Sequence, residues 1–184
     1  MDEEAFNEIY KGVEKCVERT LELVGEKALP ENHAALKEFD ASLEANGVSL
    51  HRRLTYANRC GKVAKFLKVP FKKATRQDIE AVISQFRKPA GDWSMHTHAA
   101  CLRAFYRYLF KLSTDEKPPE CVAWFKPKKP PSKLRKEDLL SEEEIEKLVA
   151  ASPSVMLKCL VSVAYESGCR PGELLSLRAR DIVF

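Results

Sequence analysis

No apolar run in the 184 residues approaches the roughly 18 needed to cross a bilayer. The N-terminus, Met1-Asp2-Glu3-Glu4, is acidic, so it is neither a secretory signal nor a transit peptide. The six cysteines contain no C-x-x-C pair, which argues against a zinc site or a disulfide framework and for small buried thiols. His96 and His98 stand two apart, about 200° around a helix, which does not suit one metal ion. No internal repeat or low-complexity tract is evident. These absences leave a soluble cytoplasmic protein with no membrane partner. With 45% hydrophobic and 32% charged residues the chain is too apolar for disorder, and its length fits one or two domains.

The formal charge of +4 hides a segregation. Residues 1–32 hold 4 basic and 9 acidic side chains, residues 33–136 hold 22 and 9, and residues 137–184 hold 5 and 9. A central block at +13 between acidic ends points to a polyanionic partner.

Periodicity predicts helices along most of the chain. Phe6, Ile9, Val13, Val17, Leu21 and Val24 step by three or four and stop at Gly25. A second helix is expected over about 31–46, with Leu36, Phe39 and Leu43 on one face. A third, near 50–68 and capped by Ser49, carries Leu50, Leu54, Ala57, Val63 and Phe66-Leu67. Thr75-Arg-Gln-Asp78 caps a fourth with Ile79, Val82, Ile83 and Phe86 inward. Ser94 is expected to cap a fifth over about 95–112, whose stripe is Leu102, Phe105, Tyr106 and Leu109.

Residues 113–138 hold five of the ten prolines and the run Lys126-Pro-Lys-Lys129, and read as a stiff basic linker with Trp124 and Phe125 pinning it to a folded surface. Beyond it, Ser141-Glu-Glu-Glu144 has capping-box form, Ser152-Pro153 opens another helix that stops at Gly168, and Pro171 opens a short one. Asp181-Ile-Val-Phe184 looks like the start of a strand.

The segment Ser167-Gly-Cys-Arg170-Pro-Gly-Glu173-Leu174-Leu-Ser-Leu177-Arg-Ala-Arg-Asp181-Ile182 closely resembles the first catalytic-arginine box of the tyrosine recombinase (phage integrase) family. Seven positions match over sixteen, and Ala179 departs where an aromatic is frequent. Asp138-Leu-Leu-Ser-Glu-Glu-Glu-Ile145 resembles the opening of that family's catalytic domain. Ser94-Met-His-Thr97 with Leu102-Arg-Ala-Phe105-Tyr106-Arg-Tyr-Leu109 resembles the last helix of its SAM-like core-binding domain. Ser49, Tyr56 and Phe66-Leu67 resemble an earlier DNA-facing helix, with Arg52 replacing a common Thr. The resemblance covers about residues 31–184.

Periodicity and this resemblance together give the expectation of a mainly α chain. Its expected parts are an N-terminal amphipathic helix (1–30), a core-binding helical bundle (31–113), a Pro/Lys-rich linker (114–138) and the truncated, mostly helical start of an α+β catalytic domain (139–184). The family cuts and rejoins DNA through a phosphotyrosyl intermediate. An always-charged guanidinium clamps the oxygens of the phosphorane-like transition state. Arg170 matches the first such arginine, and Glu173, one turn on, is placed to support it. The family's lysine, H-x-x-R box and nucleophilic tyrosine would all follow this box. Tyr10, Tyr56, Tyr106, Tyr108 and Tyr165 all precede it, so the chain alone is expected to be inactive.

Double-stranded DNA is the expected partner, with nucleoid association and no small-molecule substrate, metal or cofactor. The third helix offers Arg52, Arg53, Arg59, Lys62 and Lys65 to phosphates. The fifth offers His96, Thr97, Arg103, Arg107 and Lys111, and the linker offers Lys128 and Lys129. Self-association on DNA stays open. So do two other readings of the chain, as a DNA-binding regulatory module without recombinase activity or as an all-helical protein-interaction domain.

Overall fold

A computed structural model of the chain describes residues 12–87, 91–128, 131 and 135–178. Among these the protein is mainly α, with nine α-helices, two single 3₁₀ turns and no strand. The expected strand at 181–184, the apolar residues Phe6 and Ile9, and Lys129 lie outside the described residues. The chain divides into two compact units, one spanning Gly12–Pro131 and the other taking in Met1–Lys11 and Ser132–Phe184.

The first unit contains α1 (Val13–Gly25), α2 (Pro30–Ala45), α3 (Leu50–Phe66), α4 (Arg76–Arg87), α5 (Asp92–Leu109) and the short α6 (Glu120–Ala123). The described part of the expected N-terminal amphipathic helix, α1, packs within this unit. Val17, Leu21 and Val24 are buried, and α1 lies along α3. Gly61 makes that approach close: a Cβ on it would stand 2.5 Å from Val24 Cγ2. A mid-helix glycine costs about 1 kcal/mol relative to alanine. Here it admits a neighbouring helix.

The rest of the core is aromatic. Phe39 of α2 meets Phe105 of α5 at 5.3 Å, edge to face, and Phe71 meets Phe105 at 4.8 Å. The expected inward residues of α4, Ile79, Val82, Ile83 and Phe86, are all buried, as are Leu102, Phe105 and Tyr106 of α5. Phe66 differs: it is exposed at the last turn of α3, and only Leu67 turns inward. Asn32 is buried and satisfied at both ends of its amide. It donates to the Val69 carbonyl at 3.0 Å and accepts from the Phe71 amide at 2.7 Å, tying α2 to the turn after α3.

Local capping explains most boundaries. Thr75 and Asp78 exchange hydrogen bonds at the start of α4, the Thr75 amide donating to Asp78 at 2.8 Å. Ser94 is not the cap of α5. That helix begins at Asp92, after Gly91, so Ser94 lies in its first turn with its hydroxyl available elsewhere. At the other end, Lys111 adopts left-handed backbone (φ 55°). The Leu112 amide returns to the Arg107 carbonyl and the Lys111 amide to Tyr108, a Schellman turn without its usual glycine.

The segment read as linker is folded over its first part. Val122 and Phe125 are buried, Trp124 stacks on Phe125, and the Arg76 guanidinium sits 5.7 Å from the Trp124 ring. The expected pinning by Trp124 and Phe125 is therefore present. The six thiols are free and only partly as expected: Cys60 and Cys101 are buried, Cys121 and Cys169 are half-buried, and Cys16 and Cys159 are exposed.

The second unit contains α7 (Glu142–Ala151), α8 (Val155–Ser167) and α9 (Pro171–Leu175). The capping box of Ser141 and Glu144 forms as expected. The cap of α8 is Ser154, two residues beyond Ser152, so Pro153 precedes the helix and does not open it. Gly168 stops α8 in left-handed backbone at φ 61°. The helices of this unit contain no buried residue, and Val155 and Met156 are 77% and 74% exposed. Among the described residues the hydrophobic core therefore lies in the first unit.

Gly61→Ala is expected to destabilise the protein by about 1–3 kcal/mol, because the new methyl overlaps Val24. Urea unfolding checks this. Adding Val24→Ala to the same chain is expected to return less loss than the two single changes sum to.

Candidate nucleic-acid interface

Helix α3 is contacted by α1, α2, α4 and α5. Ala57, Cys60, Gly61, Val63 and Ala64 are buried in those contacts. Arg52, Thr55, Arg59 and Lys62 follow at i, i+3, i+7 and i+10, so they form one stripe along the arc that remains.

Arg53 belongs to the other side. It stands in register with Ala57, Cys60 and Ala64, and it is 8% exposed. Its Nε and Nη2 donate to both carboxylate oxygens of Asp40, at 3.0 and 2.7 Å, and Nη1 donates to Glu44 at 2.7 Å. The Asp40 hydrogen bonds raise its pKa further above the usual arginine value. A guanidinium occupied by two carboxylates cannot also take a phosphate. Arg53 is thus a structural arginine joining α2 to α3 and leaves the DNA-contact set.

At the first turns of α3 an open groove of about 400 Å³ runs between α3 and α5. It is lined by Ser49, His51, Arg52, Thr55 and Tyr56 on one wall and His96, Thr97, Ala100 and Cys101 on the other. The structure therefore brings together three of the sequence-predicted residues, Arg52, His96 and Thr97. It adds His51 and Thr55, whose spacing from Arg52 and Tyr56 was the available signal. Trp93 is 52% exposed beside them, its ring 5.7 Å from that of His96.

One turn further on, Arg59 crosses from α3 to α5. Its Nη1 donates to Ser94 Oγ at 2.8 Å and lies 3.1 Å from His98 Nε2. His98 is buried, and Phe86 covers its ring at 5.0 Å. Lys62 Nζ sits 4.5 Å from the centre of the Phe86 ring. Burial above all, then the charges of Arg59 and Lys62, pull the His98 pKa down from 6.5 to about 4. Lys65 is half-buried in the last turn of α3.

The remaining sequence-predicted residues lie away from this groove. Arg103 Nη1 donates to the Ala123 carbonyl at 3.0 Å, and Arg107 Nε donates to the Glu116 carbonyl at 3.3 Å. Both secure the chain that returns after α5. Lys111 is exposed in the turn that ends α5, and Lys128 is exposed beyond Phe125.

In the second unit, the Arg170 side chain is 86% exposed and pairs with Glu173 at 3.0 Å. The other Glu173 oxygen accepts from the Arg170 amide at 2.9 Å. These hydrogen bonds from Arg170 draw the Glu173 pKa below the usual carboxylate range. Glu173 thus both caps α9 and braces Arg170. Tyr106 is fully buried, and burial raises its phenol pKa well above the ordinary value, which disfavours nucleophilic use. Among the described residues no cluster of three His, Cys, Asp or Glu side chains could hold a metal ion, and no helix is long and apolar enough to cross a membrane.

Comparison with known proteins returned no match: no family model, no curated protein and no solved structure is similar to the chain at a significant level.

Two outcomes follow from these arginine and histidine environments. Arg53→Gln strands Asp40 and is expected to cost about 3 kcal/mol in urea unfolding. His98 accepts a proton near pH 4 when folded but near pH 6.5 when unfolded. The unfolded state therefore binds the extra proton between those values, and stability falls as pH drops through that window. The expected loss is on the order of 2 kcal/mol after allowance for solvent screening, and His98→Gln is expected to flatten it in thermal melts from about pH 6.5 to about pH 4.

Proposed function

We propose that this chain is part of a site-specific tyrosine recombinase and that its first unit engages duplex DNA through the exposed stripe of α3 and the adjoining turns of α5. The observation that carries the reading is the helical stripe of Arg52, Arg59 and Lys62 on α3, whose first member shares a groove with His96 and Thr97 of α5. Those cations stand on a helix whose other sides are packed, so they form a fixed array and not a scatter of solvated charge. Guanidinium and ammonium groups on such an array neutralise phosphates and release counterions, which makes binding steep in salt. His96 and Thr97 supply shorter donors and acceptors beside them, suited to sugar, phosphate or base edges.

The sequence box around Arg170 supports the recombinase part of the reading. Its guanidinium is exposed and held by Glu173, a disposition open to a phosphodiester oxygen. In that family such an arginine stabilises the pentacoordinate transition state formed when a tyrosine attacks the phosphodiester. The chain on its own is read as a binding segment.

Fluorescence anisotropy with a duplex tests the reading. If three cations engage phosphates, affinity is expected to fall by about forty-fold between about 50 mM and about 200 mM salt, a slope of about −2.7. Arg52→Gln and Arg59→Gln are each expected to reduce that slope by about 0.9, whereas Arg53→Gln leaves it unchanged. Binding that is absent at low salt, or insensitive to salt, overturns the proposal.

A further inference from the structure

We propose that His98 is a positioning residue: its Nε2, together with Ser94 Oγ, fixes the Arg59 guanidinium across the α3–α5 boundary in readiness for one phosphate. The inference rests on the DNA-binding reading for its ligand, and on side-chain geometry alone for the fixing of Arg59.

The hydrogen-bond directions determine the state of the imidazole. A guanidinium only donates, so the 3.1 Å contact requires Nε2 to accept, which puts the ring proton on Nδ1. Nδ1 is buried and has no hydrogen-bond partner among the described atoms. The opposite tautomer would set two donors against each other and still leave Nδ1 unpaired. The neutral Nδ1–H form is therefore the one that suits the site, and one unpaired buried N–H is what it leaves behind.

The ring itself is held. Phe86 of α4 packs against it at 5.0 Å, and Lys62 closes over the Phe86 ring. The groups facing the imidazole are thus Arg59 and Lys62 from α3, Ser94 from its own helix through the shared guanidinium, and an uncharged ring from α4. A second positive charge on His98 would oppose both cations.

Arg59 uses only Nη1 in these bonds. Nε and Nη2 remain, and together they form the side-on fork that takes two oxygens of one phosphate. A long side chain ordered before contact loses less freedom on binding, so a buried residue that touches no ligand can still raise affinity.

A double-variant cycle on the full chain tests this, with duplex binding read by anisotropy and folding read by thermal melts. His98→Leu is expected to weaken binding by about five- to ten-fold and to add little to Arg59→Gln, because both remove the same fixed guanidinium. His98→Gln, which keeps an acceptor at similar reach, is expected to bind within about two-fold of the unaltered chain. Additive losses, or full affinity in His98→Leu, overturn the proposal. Should His98→Leu fail to fold, Ser94→Ala takes its place in the same cycle.

Nitrogen-15 NMR of the free protein decides the positioning without DNA. An Nδ1–H tautomer at His98, with slowly rotating Arg59 guanidinium signals that are lost in His98→Leu, is expected. An Nε2–H tautomer, or freely rotating Arg59 in the unaltered chain, overturns it. Absence of salt-dependent binding by the unaltered chain overturns the DNA reading and the phosphate part of this inference, and the NMR signals then decide separately how Arg59 is held.

Discussion

Helix α3 is hemmed in by α1, α2, α4 and α5, and this enclosure organises the first unit. A helix packed on several sides must divide its residues by angle. Small or apolar side chains, with Gly61 at the tightest point, occupy the buried arc. Charge is confined to the arc left over, where Arg52, Arg59 and Lys62 stand with Thr55. The one exception, Arg53, brings its own counter-charges from α2 and so becomes a strut. The enclosure thereby turns an unevenly charged sequence into a directional surface.

The same constraint gives α5 two roles. Its middle, with Leu102, Phe105 and Tyr106, supplies the core. Its first turns meet α3 through polar side chains, and its later arginines reach carbonyls of the returning chain. A polar seam between two helices is sensitive to geometry, since each donor must find an acceptor. Arg59, Ser94 and His98 satisfy one another there, at the expense of the unpaired Nδ1. The carboxylates around Arg53 and the imidazole beside Arg59 illustrate two ways of holding a guanidinium. Full neutralisation removes it from outside use, and a neutral acceptor leaves its charge intact.

Much of this is legible in the sequence, and the gaps have physical causes. The apolar stripes of α1, α2, α4 and α5 are readable because a 3.6-residue period marks the buried side directly. The basic candidates on α3 group together by charge, and charge alone misplaces Arg53: its phase matches Ala57 and Cys60, not Arg52. Ser94 reads as a cap by residue type, yet Gly91 and Asp92 begin the helix earlier and free its hydroxyl for Arg59. The prolines after α5 suggest one continuous linker. They do not reveal that Val122 and Phe125 find apolar room on the bundle, since that depends on surfaces brought together from distant parts of the chain. In the second unit the helices follow their local signals, while none of their apolar residues is fully buried. Local patterning alone does not show whether a stripe finds a partner.

The seating of Val24 against Gly61 also bears on how the chain emerges during synthesis. The two positions are 37 residues apart in sequence. At about 5–20 residues per second, α1 leaves the ribosome roughly 2–7 s before the glycine it packs upon. Through that interval Val17, Leu21 and Val24 face water or whatever chaperone is at hand. The birth of this bundle is thus paced by the arrival of its middle helix.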